Sequence, residues 1–419
     1  MTSRSQQQLS VLIMSTLAFT VCFAVWMMFA VIGIPIKKTL DLNETQFGLL
    51  IATPVLTGSL IRLPLGMWTD KFGGRIVFFV LMLATVGPIW LMEFATEYWH
   101  FLTIGLFVGL AGGSFSVGIA YCARWYEKSR QGMAMGVFGA GNSGAAVTKL
   151  VAPAIVLAYG WTMVPQVYAA AMLVTAILFW LFTYDDPAHK VPAHVTVAEQ
   201  LQALKDPVVW KYCQYYSIVF GGYVGLSLWM TKYYVSEYGF DLKTAALLAA
   251  CFSLPGGVLR AVGGWMSDKW GAHRVTWWVL WVSWVCLFIM SYPQTAFTVQ
   301  TVSGPQTYHI YLSPEIFTAL LFTVGVAFAF GKASVFKYIS DEYPHNIGVI
   351  SGIVGLIGGL GGFLLPIMFG ALVDLTGVRS SAFMLMYGVV WVSLIWMYTT
   401  EVRKLDHLGK PAIAADDME

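Results

Sequence analysis

Apolar runs of about 20 residues recur from one end of this 419-residue chain to the other, and that is the length a helix needs to cross the hydrocarbon core of a bilayer. In lipid a backbone satisfies its polar groups only within helices or a closed barrel, and runs this long and continuous read as helices. Hydrophobic residues make up 58% and charged residues 11%, against about 25% charged in soluble domains. The chain therefore reads as an all-α membrane protein with many crossings. A net charge of +2 without a basic stripe gives no reason to expect nucleic acid. Cys22, Cys122, Cys213, Cys251 and Cys286 show no C-x-x-C or metal spacing, so free thiols and no metal site are expected.

Twelve membrane helices are predicted, over 11–36, 45–68, 75–95, 99–123, 131–157 and 161–184, then 212–235, 243–266, 274–293, 314–340, 346–373 and 380–400. The first run is too long for a signal peptide and lacks a small-residue cleavage site, so it is read as retained. A polar stretch with three prolines and a short amphipathic piece around Val197, Leu201 and Leu204 divides the series. The expected organisation is two pseudo-symmetric six-helix halves, 1–184 and 212–400, joined by a linker over 185–211 and followed by a tail over 401–419. Fourteen Lys and Arg fall on the side of the termini and five on the other, which places both termini in the cytoplasm. Pro293 to Ser313, polar and free of Lys and Arg, is expected to be an outward loop.

The two halves repeat one stretch. GSLIRLPLGMWTD holds Gly58, Arg62, Gly66 and Asp70; GGVLRAVGGWMSD holds Gly256, Arg260, Gly264 and Asp268, offset by 198 throughout. Residues four apart share a helix face, so each stretch presents a guanidinium flanked by glycines. Five basic residues fall inside predicted helices: Arg62, Lys149, Arg260, Lys332 and Lys337. All 22 acids fall in loops, tails or helix ends, and no histidine is expected at membrane depth. Buried positive charges without acidic partners suit an anion and are costly without one.

Two helices are rich in glycine. The fifth carries Gly132, Gly136, Gly139, Gly141 and Gly144; the eleventh carries Gly348, Gly352, Gly355, Gly358, Gly359, Gly361 and Gly362. Small residues at this spacing let helices approach closely. Asn142 lies seven residues before Lys149, so both share a helix face; a pore lining and an inter-helix hydrogen bond both account for that.

GMWTDKFGGR and GWMSDKWGAHR resemble the G-x-x-x-D-x-x-G-x-[KR] loop motif of the major facilitator superfamily. Gly66, Asp70, Gly73 and Arg75 match it; in the second copy Gly264, Asp268 and Gly271 match, but His273 stands where the basic residue is expected, with Arg274 next to it. The motif implies a conformational gate at the cytoplasmic ends of helices 2 and 8. AGNSGAAV in helix 5 and GGLGGFLLP in helix 11 resemble the paired signatures of the nitrate/nitrite porter family within that superfamily. The resemblance covers the whole chain. It implies that Arg62 and Arg260 bind the anion, with Asn142 from the signature, Phe115 from helix 4, and Tyr216 and Phe220 from helix 7.

It further implies a monomeric, multi-pass protein of the inner (cytoplasmic) membrane that moves nitrate and nitrite by alternating access and needs no cofactor. No nucleophile–base pair or phosphate loop suggests an enzyme. Proton symport is the favoured coupling because GAGNSGAAVTK resembles the branch of the family described as nitrate/proton symporters. No buried carboxylate or histidine is expected, so Lys149, Lys332 or Lys337 would carry the proton, since burial disfavours a charged lysine. Nitrate/nitrite antiport, or a superfamily member for another small anion, is the alternative. A haem- or quinone-binding respiratory subunit would need histidines at membrane depth. A non-transporting anion sensor would bring a signalling domain.

Overall fold

The computed structural model describes residues 3–185, 202–343 and 347–402. Helical rods follow one another along them: α1 (Arg4–Thr39), α2 (Glu44–Phe72), α3 (Gly74–Phe94), α4 (Tyr98–Trp125), α5 (Met133–Tyr159) and α6 (Met163–Phe182). After the undescribed stretch come α7 (207–238), α8 (Leu242–Val258 with Arg260–Trp270), α9 (Ala272–Met290), α10 (Pro314–Glu342), α11 (Ile347–Thr376) and α12 (Ser381–Glu401). Among the described residues ten helices are long and apolar enough to cross a membrane, or eleven if the two pieces of α8, bent by 48°, form one span. The rod α7 is helical throughout but lies outside that set; its polar tyrosines and small glycines dilute its apolar character. Of the expected amphipathic piece, Val197 and Leu201 lie outside the described residues, as does the tail from residue 403.

Helix starts follow their capping chemistry. Asn43 accepts from the Gln46 N–H while the Gln46 side chain accepts from the Asn43 N–H, which closes the start of α2. Asp241 caps α8 through the N–H groups of Lys243 and Thr244. The stretch read as an outward loop is instead a hairpin, β1 (Thr295–Thr301) with β2 (Gly304–Ile310). Its turn uses Gly304 at φ +112°. Thr298 pairs with Thr307 across the strands and Phe297 stacks on Tyr308, cross-strand contacts that polarity alone does not reveal.

Both repeated stretches break their helix at the same place. α2 has a turn at Ile61 and α8 one at Leu259, so Arg62 and Arg260 each begin a new helical segment. Pro64 cannot donate to the Leu60 carbonyl and Pro255 cannot donate to that of Cys251, which loosens each ladder near its break. At the ends of these segments Gly73 (φ +89°) and Gly271 (φ +88°) take a backbone conformation that only glycine adopts readily.

The bundle has two unlike ends. At the hairpin end the first half of the chain is tied to the second. The Asp374 carboxylate accepts from the N–H groups of Glu44 (3.1 Å) and Thr45 (2.8 Å) and from the Thr45 hydroxyl (2.6 Å). Glu44 also pairs with Lys232. A Cβ at Gly48 would sit 2.2 Å from the Pro366 carbonyl oxygen, so α2 and α11 touch backbone to backbone there. At the other end, where residues 4 and 402 lie, Asp70 pairs with Arg124, Arg75 with Asp185, Lys337 with Asp268 and Asp341, and Lys211 with Glu401.

Candidate functional site

The break in each repeated stretch turns its arginine into the bundle. Arg62 is 6% exposed and Arg260 9%. Both guanidiniums lie over the Phe115 ring of α4, with their central carbons 5.7 and 5.3 Å from its centroid. They are thus within about 11 Å of each other, and at that distance in a low-dielectric interior two positive charges repel appreciably. Phe220 lies 4.9 Å and Trp26 5.9 Å from Arg62, and Phe336 lies 5.5 Å from Arg260. Tyr216 stacks on Phe220 (5.1 Å) and meets Phe336 edge-on (4.9 Å). The pair is therefore boxed by aromatic rings whose faces favour cations but offer no acceptor oxygen.

Neither guanidinium is saturated. Arg62 Nη1 donates to the Gly355 carbonyl of α11 at 3.1 Å, and its Nε is buried with no partner. Arg260 Nη1 is also buried with no partner. A buried donor left unmade costs about 1–3 kcal/mol, more when charged. The site thus holds unspent positive donors from both arginines beside one ring.

Glycines make room for this arrangement. A Cβ at Gly139 would crowd the Arg260 Cδ (3.3 Å), and one at Gly358 would enter the Tyr216 ring (2.4 Å). Gly359 leaves space for Ser59, Gly361 for Ser217, Gly362 for Val224 and Gly355 for Arg62. Gly141 faces Phe19, and Gly144 meets the Thr20 carbonyl. By contrast, a Cβ at Gly66 or Gly264 would meet nothing within 4 Å, so the motif glycines hold no close contact in this state.

A second polar tier lies nearer the hairpin end. α8 and α10 enter from that end, so Ser253 and Gly256 precede Arg260, and Lys332 precedes Phe336. α5 and α7 approach from the other side, which sets Asn142, Lys149, Tyr223 and Ser227 beyond Gly139 and Tyr216. Lys149, 1% exposed, donates to the Ser253 hydroxyl and lies 3.5 Å from the Ala145 carbonyl. Lys332, fully buried, donates to the Gly256 carbonyl with its ammonium 3.6 Å from the Tyr223 ring centroid. The Tyr223 hydroxyl is 2.8 Å from the Ser253 carbonyl and 3.2 Å from that of Asn142, a contact between α7 and α5. Asn142 sits in a tight turn over Ala140–Ser143, 1% exposed, and neither atom of its side-chain amide has a partner. Lys337 stands apart, 35% exposed and paired with Asp341 and Asp268.

Sequence reading missed several participants. Trp26, Phe336 and Tyr223 carry no signal in so aromatic a chain. The π-helical turn Ser217–Gly221 inserts between Tyr216 and the rest of α7, a distortion common at functional sites. Sequence reading also did not bring Glu401 and His273 together. The Glu401 side chain is 10% and that of His273 21% exposed, and they meet at 3.5 Å. Each lies at a helix end, where sequence places charges in solvent, but four helix ends converge there and enclose them.

Residues 14–366 match the model of the Major Facilitator Superfamily. The chain is 38% identical to the probable nitrate/nitrite antiporter NarK1 of Thermus thermophilus, over 95% of this chain and 93% of that one. It is 31% identical to the nitrite extrusion protein of Bacillus subtilis (strain 168), over 96% and 97%. Among solved structures, a bacterial homologue of the human lysosomal transporter Spinster, inward-facing and unoccupied, superposes with a TM-score of 0.67 over 94% of this chain and 96% of that one. At 17% identity that likeness speaks for the fold alone. Fold, repeated motifs and whole-length relatives agree: the chain belongs to the nitrate/nitrite porter family of the major facilitator superfamily.

Proposed function

We propose that this protein is a secondary active transporter that carries nitrate, and nitrite, across the cytoplasmic membrane, holding the anion between Arg62 and Arg260. The reading rests on one observation: two buried guanidiniums with unpartnered N–H groups lie 5.7 and 5.3 Å from the centroid of one aromatic ring, Phe115, with no carboxylate beside them among the described residues. Nitrate is small, planar and singly charged. A guanidinium presents parallel donors in a plane, so each arginine can grip two of its oxygens. Phe115, Phe220, Tyr216 and Phe336 then limit the height of the site and exclude water, while Asn142 offers a further donor.

In this reading all twelve rods cross the bilayer, both termini are cytoplasmic, and residues 1–184 and 212–400 are two six-helix halves that rock about the site. The ties of Asp374 and Glu44 close the outer side, so the state described faces the cytoplasm. A bound anion offsets the repulsion between the arginines and favours an occluded state in which the halves approach. An empty carrier keeps that repulsion and reorients slowly.

Coupling to protons is favoured by Lys149 and Lys332, buried without a carboxylate partner among the described residues. A lysine in such a place can trade its proton as its acceptors change. Strict nitrate/nitrite exchange is the second reading, favoured by the name of the Thermus thermophilus relative. Proteoliposomes test both. Nitrate uptake should be inhibited by nitrite and chlorate, whereas inhibition by small carboxylates instead would overturn the substrate. A pH gradient with no internal nitrite should drive nitrate in; a strict need for internal nitrite would establish exchange.

A further inference from the structure

Each half closes its gate motif onto the last helix of that half, but with different chemistry. In the first half Arg75 holds Asp185 at 3.2 Å and donates to the Trp180 carbonyl at 2.7 Å, just past and within the end of α6. In the second half the matching position is His273, which faces Glu401 at the end of α12. Arginine keeps its charge at any physiological pH, whereas histidine titrates near neutrality. The repeat therefore contains one permanent latch and one that can be charged or discharged.

The surroundings of His273 are built for that change. Its Nε2 is buried, makes no hydrogen bond, and lies 3.5 Å from Glu401 Oε2. The same Oε2 accepts from the Tyr338 hydroxyl of α10. Oε1 faces the Lys211 ammonium of α7 at 2.5 Å, off the line of a good hydrogen bond. The Tyr338 ring stands edge-on to the imidazole at 6.1 Å. Glu342 of α10 and Arg274 beside it on α9 are the other charged groups in reach. With neutral imidazole, Lys211 and Glu401 balance each other. A proton on Nε2 adds a positive charge directed at a carboxylate that two other groups already share.

Two of the helices gathered there also line the arginine site. Lys211 is five residues before Tyr216 on α7, and Tyr338 is two residues after Phe336 on α10. A change in how Glu401 is shared among α7, α9 and α10 bears directly on the rings around Arg260.

We propose that His273 and Glu401 form a proton-binding site at the cytoplasmic end of the second half, and that its occupancy sets how tightly α9, α7 and α10 are latched to α12. The proposal rests on the transport reading and adds to it a pH control on the cytoplasmic side. The proton leaves a hydronium ion in cytoplasmic water, whose O–H bond breaks as the N–H bond on Nε2 forms, and water is released. Low internal pH tightens the latch and high internal pH loosens it.

The test uses the full chain in liposomes with two readouts. The first is the distance between spin labels at Glu127 and Lys269, on a background with the five cysteines replaced, without any anion present. The second is nitrate–nitrate counterflow at equal pH on both faces, which needs no proton gradient. Burial holds the His273 imidazole below the ordinary histidine range, so between about pH 4 and about pH 7 the wild-type distance distribution should shift through one titration, and counterflow should change by about threefold or more. His273→Arg should fix the low-pH distribution and His273→Gln the high-pH one, each flattening both profiles. Glu401→Gln should displace the titration midpoint. A distance titration of wild-type size in both histidine variants would overturn the site. Absent counterflow in a wild-type protein whose distances still titrate would overturn the nitrate reading and leave the switch standing.

Discussion

The arginine tier and the lysine tier are both buried and both positive, yet their donors are in opposite states. Lys149 and Lys332 spend their ammonium groups on the Ser253 hydroxyl, the Gly256 carbonyl and the Tyr223 ring. Arg62 and Arg260 keep N–H groups that nothing in the protein satisfies. A charge that has found acceptors tolerates burial far better than one that has not. The difference teaches which tier awaits a ligand. The anion belongs between the arginines, and the lysines belong to the machinery around it.

The sharpest way to break this comparison is to swap the chemistry of the first tier. Arg62→Lys or Arg260→Lys keeps the charge and removes the planar fork. Hydrogen bonds to charged groups are worth about 1.5–3 kcal/mol each, so nitrate uptake at limiting concentration should fall about ten- to hundredfold. Equal loss from both substitutions would show that the repeat acts as one site. Initial rates in proteoliposomes measure this.

Lys332→Met tests the second tier. It removes the charge and leaves the Gly256 carbonyl unpartnered, a cost of about 1–3 kcal/mol. Nitrate–nitrate exchange should survive with its KM within about threefold, while accumulation driven by a pH gradient is lost. Exchange lost together with accumulation would merge the two tiers into one binding site.

Phe115→Leu probes the ring shared by the arginines. Each cation–aromatic contact contributes about 0.5–2 kcal/mol, and a leucine retains the apolar volume without the ring face. The expected result is a KM raised about three- to tenfold with a smaller change in kcat. A change in kcat alone would mean that Phe115 acts on rocking rather than on the site.

The smallest effect is expected from Gly358→Ala. The new methyl would lie 2.4 Å from the Tyr216 ring, so the tyrosine must leave its stack with Phe220. Overpacking of this kind costs about 1–3 kcal/mol. Thermal unfolding in detergent should shift down by a few degrees, with modest loss of uptake.

How much of this was legible in the sequence follows from the range of each signal. The helices, the 198-residue offset and the two intramembrane arginines are written locally, as apolar run length and four-residue spacing. The Gly358–Tyr216 fit was partly legible, because a glycine stripe announces close approach without naming the partner. The π turn at Ser217–Gly221 was not, since nothing in SIVFG distinguishes it from ordinary helix. Tyr223 was hidden because its role depends on Ser253 and Asn142 from other helices, 30 and 81 residues away. His273 was read as the basic position of the second gate motif and Glu401 as an acid beyond the last helix; only the convergence of four helix ends brings them together. The hairpin at 295–310 was read as loop because polarity without Lys or Arg marks exposure and not pairing.

The central claim is that one anion is gripped from both halves by donors the protein leaves unspent. Its most direct test is calorimetric titration of nitrate into the purified wild type, Arg62→Lys and Arg260→Lys proteins, with no membrane or gradient involved. The account predicts that each substitution raises Kd by about ten- to hundredfold and by similar amounts. An unchanged Kd in either variant would contradict it.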